Sequence, residues 1–147
     1  MPGYKVHLVG GAVTFACLYA LLSSHIPTTS LIIFQWLGAS LLGALFPDVD
    51  IKSKGQGLFY KGMLLCLALL LWKKQVYLFV AMSFLALVPV LVRHRGIFHC
   101  VWFVIVVPFA VAFVAGNSFP AFSALFFYNA CFFSAGALSH IMLDRLV

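Results

Sequence analysis

The 147-residue chain is 65% hydrophobic and 8% charged, with a mean hydropathy of +1.14, whereas about 25% of the residues in a soluble domain are charged. A soluble core of this length cannot bury so much apolar surface, so the composition excludes soluble classes and predicts an integral membrane protein. The Lys and Arg residues that give the net charge of +6 stand singly or in pairs between apolar runs. This distribution is typical of membrane loops and argues against nucleic-acid binding. The length suits one domain, residues 1–147.

Six apolar runs predict an all-α bundle of about six transmembrane helices. In chain order they cover residues 6–24, 31–46, 58–72, 76–92, 96–115 and 120–146. The first run lacks an A-x-A-like cleavage site at its end, so we expect it to be retained as a helix. Pro47 should end the second helix before a polar loop over 48–57, and Gly116-Asn117-Ser118 should form the turn between the last two helices. Small residues over 134–137 should let the last helix pack closely against its neighbours.

The basic residues are distributed unequally between the two membrane faces that these six spans define. Lys73 and Lys74 fall on one face. The other seven fall on the opposite face: Lys5, Lys52, Lys54, Lys61, Arg93, Arg95 and Arg145. By the positive-inside rule, the face with seven basic residues is predicted to be cytoplasmic.

All three acidic residues and four of the five histidines are expected on that same face. They are His7, Asp48, Asp50, His94, His99, His140 and Asp144. His25 is expected on the other face, as an interfacial residue. Ionisable side chains in a membrane protein are costly and therefore usually functional, and four distant segments that converge in this way indicate a metal site at one membrane face.

Two of the segments offer paired ligands. His140 and Asp144 are spaced i, i+4, so they lie on one face of the last helix and can bind or bridge a metal together. After Pro47, an extended Asp48-Val49-Asp50 would present two carboxylates from nearly the same place. Either both carboxylates bind the metal, or one of them accepts a hydrogen bond from a ligand histidine.

The third segment combines two histidines with an arginine. His94 and His99 flank Gly96, and Arg95 between them could bind a phosphate or a developing oxyanion bidentately. A mixed imidazole and carboxylate set favours Zn²⁺, with Mn²⁺ and Fe²⁺ as alternatives. Seven candidate ligands exceed the three or so protein ligands of a catalytic zinc, so the sequence leaves open one ion or two.

Simpler interpretations of the same residues remain open at this stage. Asp144 could pair with Arg145 or Lys5 at the membrane surface, and Asp48 and Asp50 could balance nearby lysines. The cluster could also belong to a metal or proton transporter, or to a non-enzymatic membrane protein that uses a metal to hold its fold. Nothing in the chain predicts its oligomeric state.

The motifs resemble those of the YdjM-type, LexA-regulated, membrane-bound metal-dependent hydrolases of bacteria. The resemblance rests on motifs in the same order along most of the chain: His7, Gly43-x-x-x-Pro47-Asp48-x-Asp50, His94-Arg95-Gly96-x-x-His99 and His140-x-x-x-Asp144. They also look like motifs of zinc-dependent phospholipase C and P1-type nuclease proteins, which cleave phosphate esters at a zinc cluster. One departure is Cys100, which follows His99 where a serine is expected.

The resemblance implies a metal-dependent hydrolase in the bacterial inner membrane. We therefore expect a metal-activated water to attack a phosphoester of a membrane lipid or lipid-linked substrate at the cytoplasmic surface. His94, His99, His140 and Asp144 are the expected core ligands, and His7 completes the cluster. Asp48 and Asp50 serve as ligand or base, and Arg95 binds the phosphate.

Overall fold

A computed structural model describes residues 3–23, 29–92 and 96–146, and this part of the chain is helical with no strand. The six helices are α1 (Tyr4–Leu22), α2 (Ser30–Leu45), α3 (Lys54–Trp72), α4 (Val76–Leu91), α5 (Val101–Ser118) and α6 (Ser123–Leu146). Short 3₁₀ helices cover Phe46–Asp50, Ile97–His99 and Pro120–Phe122. Five described spans are long and apolar enough to cross a membrane, and α4, with 16 residues, is apolar but shorter. The predicted all-α membrane architecture is confirmed.

Helices α2 and α6 pack against each other at the centre of the bundle, with α1 and α5 on either side. Helices α3 and α4 form a peripheral pair that contacts the rest mainly through the 3₁₀ helix Phe46–Asp50. The most deeply buried large side chains, Trp36 and Phe132, stack on each other between α2 and α6. The core therefore lies along the α2–α6 interface.

Glycine allows α2 and α6 to approach this closely. A Cβ at Gly43 would overlap the backbone carbonyl of Phe133, and a Cβ at Gly136 would overlap that of Ser40. Small residues bring helices into contact in lipid, where packing must supply the stability that hydrophobic burial supplies in water. The predicted role of the small residues in the last helix is confirmed, and Ser40 adds a buried hydrogen bond from its hydroxyl to the carbonyl of Gly11 in α1 (2.9 Å).

Two predicted connections were wrong because helix extends into them. The expected loop over 48–57 is 3₁₀ helix up to Asp50 and α-helix from Lys54, where the Ser53 hydroxyl caps α3 by accepting from the N–H of Gln56 (3.0 Å). The expected turn at 116–118 is the last turn of α5, and the chain changes direction at Phe119 instead. Glycine and asparagine near a helix end are therefore compatible with continued helix.

Candidate metal centre

Five of the predicted site residues meet at one end of the bundle. His7 lies in α1, Asp48 in the 3₁₀ helix after α2, His99 just before α5, and His140 and Asp144 near the end of α6. The two 3₁₀ helices contact each other, and the first also contacts α6. The chain thus brings together residues up to 137 positions apart, between His7 and Asp144, through the packing of α1, α2, α5 and α6.

Four of these residues place their donor atoms around one point. Single donor atoms from Asp48, His99, His140 and Asp144 all lie within 4.8 Å of one another. His140 Nε2 is 3.5 Å from Asp48 Oδ1, and His99 Nε2 is 3.5 Å from Asp144 Oδ2. These distances exceed a hydrogen bond but are close to the separation, roughly 3.4 Å, of two ligands bound tetrahedrally at about 2.0–2.1 Å. These separations are compatible with ligands around a shared cation.

The hydrogen bonding of these atoms also fits a metal. Within the described residues, Asp48 Oδ1, His140 Nε2 and both carboxylate oxygens of Asp144 are buried without a hydrogen-bond partner. Buried polar groups left in this state cost free energy, and buried carboxylates cost most when ionised. A divalent cation among two carboxylates and two imidazoles would satisfy Asp48 Oδ1, His140 Nε2 and Asp144 Oδ2, so the residues present fit the predicted group.

The orientation of His140 is fixed by a backbone contact. Its Nδ1 donates to the carbonyl oxygen of Ala44 at 2.7 Å, which directs Nε2 towards Asp48. The Ala44 carbonyl is open to this hydrogen bond because Pro47, three residues later, has no N–H that could donate to it in a 3₁₀ helix. A hydrogen bond from the other ring nitrogen of a ligand histidine fixes its tautomer and the direction of its ligand nitrogen. Ala44 was not among the predicted site residues, and Pro47 was the signal that could have found it.

His7 lies beside the four-residue group. Its ring is buried and stacks on that of His140, with 3.7 Å between centroids and an interplanar angle of 17°. Its Nε2 is 3.5 Å from Asp144 Oδ1, while Asp144 Oδ2 faces His99 and His140. His7 thus contacts the Asp144 oxygen that does not face His99 and His140.

The predicted geometry of the two early aspartates was wrong. Asp48-Val49-Asp50 is the end of a 3₁₀ helix rather than an extended segment, because the fixed φ of Pro47 suits the start of a helical turn. The two carboxylates are therefore not presented from an extended segment, and Asp50 is not one of the four grouped residues. It still lies near enough to His99 for its charge to act on that ring.

Burial sets the protonation state of His99. Desolvation and the neighbouring His140 lower the pKa of the His99 imidazole from its ordinary value of 6.5, against the opposing effect of Asp50, Asp48 and Asp144. A lowered pKa favours the neutral ring at physiological pH. The neutral ring is the form that binds a metal.

Three predicted residues lie outside the described residues: His94 and Arg95, proposed as ligand and phosphate-binding group, and His25. The surface-pairing alternative for Asp144 finds no support in the ranges that the structure covers, where its ion-pair contacts are with His7, His99 and His140. The metal-binding roles themselves stay predictions from the sequence, and the structure adds the distances between the proposed ligands.

Comparison with known proteins gives one family. No curated protein and no solved structure matched the chain. A family model, described as YdjM inner membrane protein, matches residues 1–147, which is the whole chain. With the spans described above, this makes the protein a multi-pass protein of the inner membrane. The chain belongs to the YdjM inner membrane protein family.

Proposed function

We propose that the chain is a metal-dependent hydrolase that cleaves a phosphoester of a membrane lipid or lipid-linked molecule. The observation that carries the proposal is the convergence of two imidazoles and two partly buried carboxylates, within 4.8 Å, at one end of a membrane bundle. Family membership supports the membrane location, and the chemistry is our inference from the donor set. Perturbed, buried ionisable groups gathered from several elements are typical of active sites.

The proposed metal ligands are Asp48, His99, His140 and Asp144. Their mixed nitrogen and oxygen donors suit Zn²⁺ first, with Mn²⁺ and Fe²⁺ as alternatives, in one or more ions. When bound, such an ion lowers the pKa of water and withdraws charge from a phosphoryl oxygen.

The remaining residues are assigned by their positions. Asp50, beside His99 and outside the ligand group, is the proposed general base that takes the proton of the attacking water. His7 is a positioning residue that holds one oxygen of Asp144 so that the other faces the ligand group. Arg95 is the proposed phosphate-binding residue, on the basis of its place between two histidines in the sequence.

A membrane substrate follows from where the ligands lie. His7, His140 and Asp144 occupy the terminal turns of spans α1 and α6, so the site lies near the level of the lipid head groups. Phe46 and Phe98 pack edge to face next to Asp48 and His99, with 5.4 Å between ring centroids. A lipid phosphate can reach this position without leaving the bilayer, and we place the site on the cytoplasmic face from the distribution of Lys and Arg.

A structural metal is the second candidate, favoured by one observation. Four protein ligands complete a tetrahedral zinc site, whereas catalytic zinc keeps a position for water. Ions that accept five or six ligands would leave such a position with the same four residues. A transporter is less favoured, since every described aspartate and histidine lies at one end of the bundle rather than along a path across it.

The test is hydrolysis of phosphate-bearing lipids by the purified, metal-loaded protein in mixed micelles. We expect phosphate release from phosphatidate or a related lipid, and a loss of roughly 10²–10⁴-fold in kcat for Asp50→Asn, the range typical of a general base. Metal content should not change in that variant. Cys100→Ser, next to His99, is the matched control and should keep the activity.

Three results would contradict the proposal. The first is no cleavage of any phosphate-bearing lipid by metal-loaded protein, and the second is an Asp50→Asn variant as active as wild type. The third is unfolding, rather than simple inactivation, when a chelator removes the metal, which would favour the structural site. Metal uptake into proteoliposomes without hydrolysis would favour the transporter instead.

A further inference from the structure

An elongated apolar cavity of about 490 Å³ lies between α4 and α5, with α2 and α6 behind it. Its volume is within the range of small-molecule sites, roughly 300–1,000 Å³. Among the described residues that line it, Asn129 is the only one with a polar side chain. Across the described residues, α4 and α5 make little contact with each other, so the cavity separates them.

One end of the cavity lies directly below the candidate metal centre. Phe98, which precedes His99, and Phe46, which lies two residues before Asp48, both line it. Phe98 is 3% exposed, so its ring is held between the polar site and the apolar space. A molecule with a polar group at the metal centre would continue into this cavity.

The cavity extends deep into the membrane. Its lining follows α5 from Phe103 to Ala115, which is about 18 Å at the rise of an α-helix, or somewhat more than half of the hydrocarbon thickness of about 30 Å. Leu85 on α4 and Val111 on α5 are 51% and 63% exposed, so the cavity is open sideways to the bilayer. An occupant can enter from the lipid.

We propose that this cavity binds one hydrocarbon chain of the lipid whose phosphate group reaches the metal centre. This inference rests on the proposed function for the head group. A polar occupant would leave its own groups unpaired along a lining with a single polar side chain. A hydrocarbon chain is apolar along its whole length, and the cavity opens through the exposed Leu85 and Val111 to the bilayer that supplies such chains.

The direct test maps lipid contacts on the wild-type protein in nanodiscs that contain phosphatidate with a photoreactive diazirine in one acyl chain. After illumination, mass spectrometry locates the labelled residues. We expect Val107, inside the cavity, to be labelled roughly tenfold more than its neighbour Val106 on the lipid-facing side, a preference equivalent to about 1.4 kcal/mol. Diacylglycerol with the same photoreactive chain should show a smaller preference, since it lacks the phosphate.

Three mapping results would overturn the inference. Equal labelling of the two valines would mean that lipid only surrounds the bundle. Dominant labelling at Met63 and Cys66 would place the chain in the smaller pocket between α2 and α3. Equal preference for phosphatidate and diacylglycerol would break the proposed link between the cavity and the metal centre.

A variant adds a second, independent measurement. Ala115→Trp fills the deep end of the cavity and should lower labelling from an eighteen-carbon chain roughly tenfold while sparing an eight-carbon chain, a difference of about 1.4 kcal/mol. Ala110→Trp, exposed on the same helix, is the matched control and should change neither. Identical labelling in both variants would contradict the inference. Absence of hydrolysis with intact cavity labelling would count against the proposed function and support the cavity.

Discussion

The α2–α6 interface and the α4–α5 cavity show two opposite ways of packing helices in one bundle. At the α2–α6 interface, Gly43 and Gly136 bring backbone against backbone, and Phe132 and Trp36 fill the remaining space. Between α4 and α5, bulky side chains such as Leu85 and Val111 leave about 490 Å³ open towards the lipid.

The difference follows the position of the candidate ligands. Asp48 follows α2 directly, and His140 and Asp144 lie on α6, so the tight interface fixes three of the four donor residues relative to each other. A metal site needs donor atoms held within fractions of an ångström, whereas a lipid chain needs a space that can open. One side of the bundle is thus rigid where we propose a metal, and the other is loose where we propose a substrate chain.

The largest expected effect is on the tight interface. Gly43→Ala should destabilise the protein by more than about 3 kcal/mol, because the new methyl would meet the backbone carbonyl of Phe133, which cannot move aside as a side chain can. Gly38→Ala, in the same helix with open space around it, should change stability by no more than about 1 kcal/mol. Unfolding in mixed micelles followed by circular dichroism measures both, and equal stabilities would refute the close approach.

Matched truncations should separate the two regions next. Ile141→Ala, at a buried position on α6, should cost about 2 kcal/mol or more, as cavity-forming substitutions do. Leu85→Ala, half exposed beside the α4–α5 cavity, should cost about 0.5 kcal/mol or less. The same unfolding measurement applies. A larger loss for Leu85→Ala would mean that α4 and α5 are packed more tightly than described.

His7 tests whether the tight region positions the ligands. His7→Phe keeps a ring against His140 but removes the Nε2 contact to Asp144, and metal affinity should fall roughly 10–100-fold, as for other outer contacts of metal ligands. Tyr4→Phe, one turn earlier on α1, is the control and should bind as wild type does. Competition with a chromophoric chelator gives the affinities. Wild-type affinity in His7→Phe would remove its positioning role.

The smallest effect concerns pH. Burial lowers the pKa of His99 below 6.5, so the folded state resists protonation more than the unfolded state does. The contribution of His99 to the stability of metal-free protein is therefore present above pH 6.5 and is lost as the pH falls below that value. Unfolding of metal-free protein between pH 5 and 8 should show this loss in wild type and a weaker one in His99→Gln. Identical pH profiles would show that His99 is not buried as described.

Hydrophobicity alone predicted the class of fold, because six long apolar runs with few charges are stable only as membrane-spanning helices. It could not predict the ends of α3 and α5, where Ser53 caps α3 within a polar segment and α5 continues through Gly116-Asn117-Ser118. Side-chain spacing predicted the i, i+4 pair His140 and Asp144, which the structure places 3.6 Å apart through Nε2 and Oδ2.

Long-range geometry was less accessible from the sequence. The stack of His7 on His140 and the backbone contact from His140 to Ala44 depend on how α1, α2 and α6 cross, and no local pattern encodes that. The backbone at Asp48 and Asp50 was mispredicted as extended because Pro47 was taken to end the helix, whereas proline also begins a 3₁₀ turn. The α4–α5 cavity left no sequence signal, since its lining is ordinary apolar helix.

Metal content is the measurement closest to the central claim, that Asp48, His99, His140 and Asp144 hold a divalent cation. Wild-type protein and the His140→Ala and Cys100→Ser variants are purified without chelator and analysed by elemental mass spectrometry. We expect at least one equivalent of a transition metal in wild type and Cys100→Ser, and loss of that metal in His140→Ala. A wild type without metal, or a His140→Ala variant with the full wild-type content, would contradict the claim.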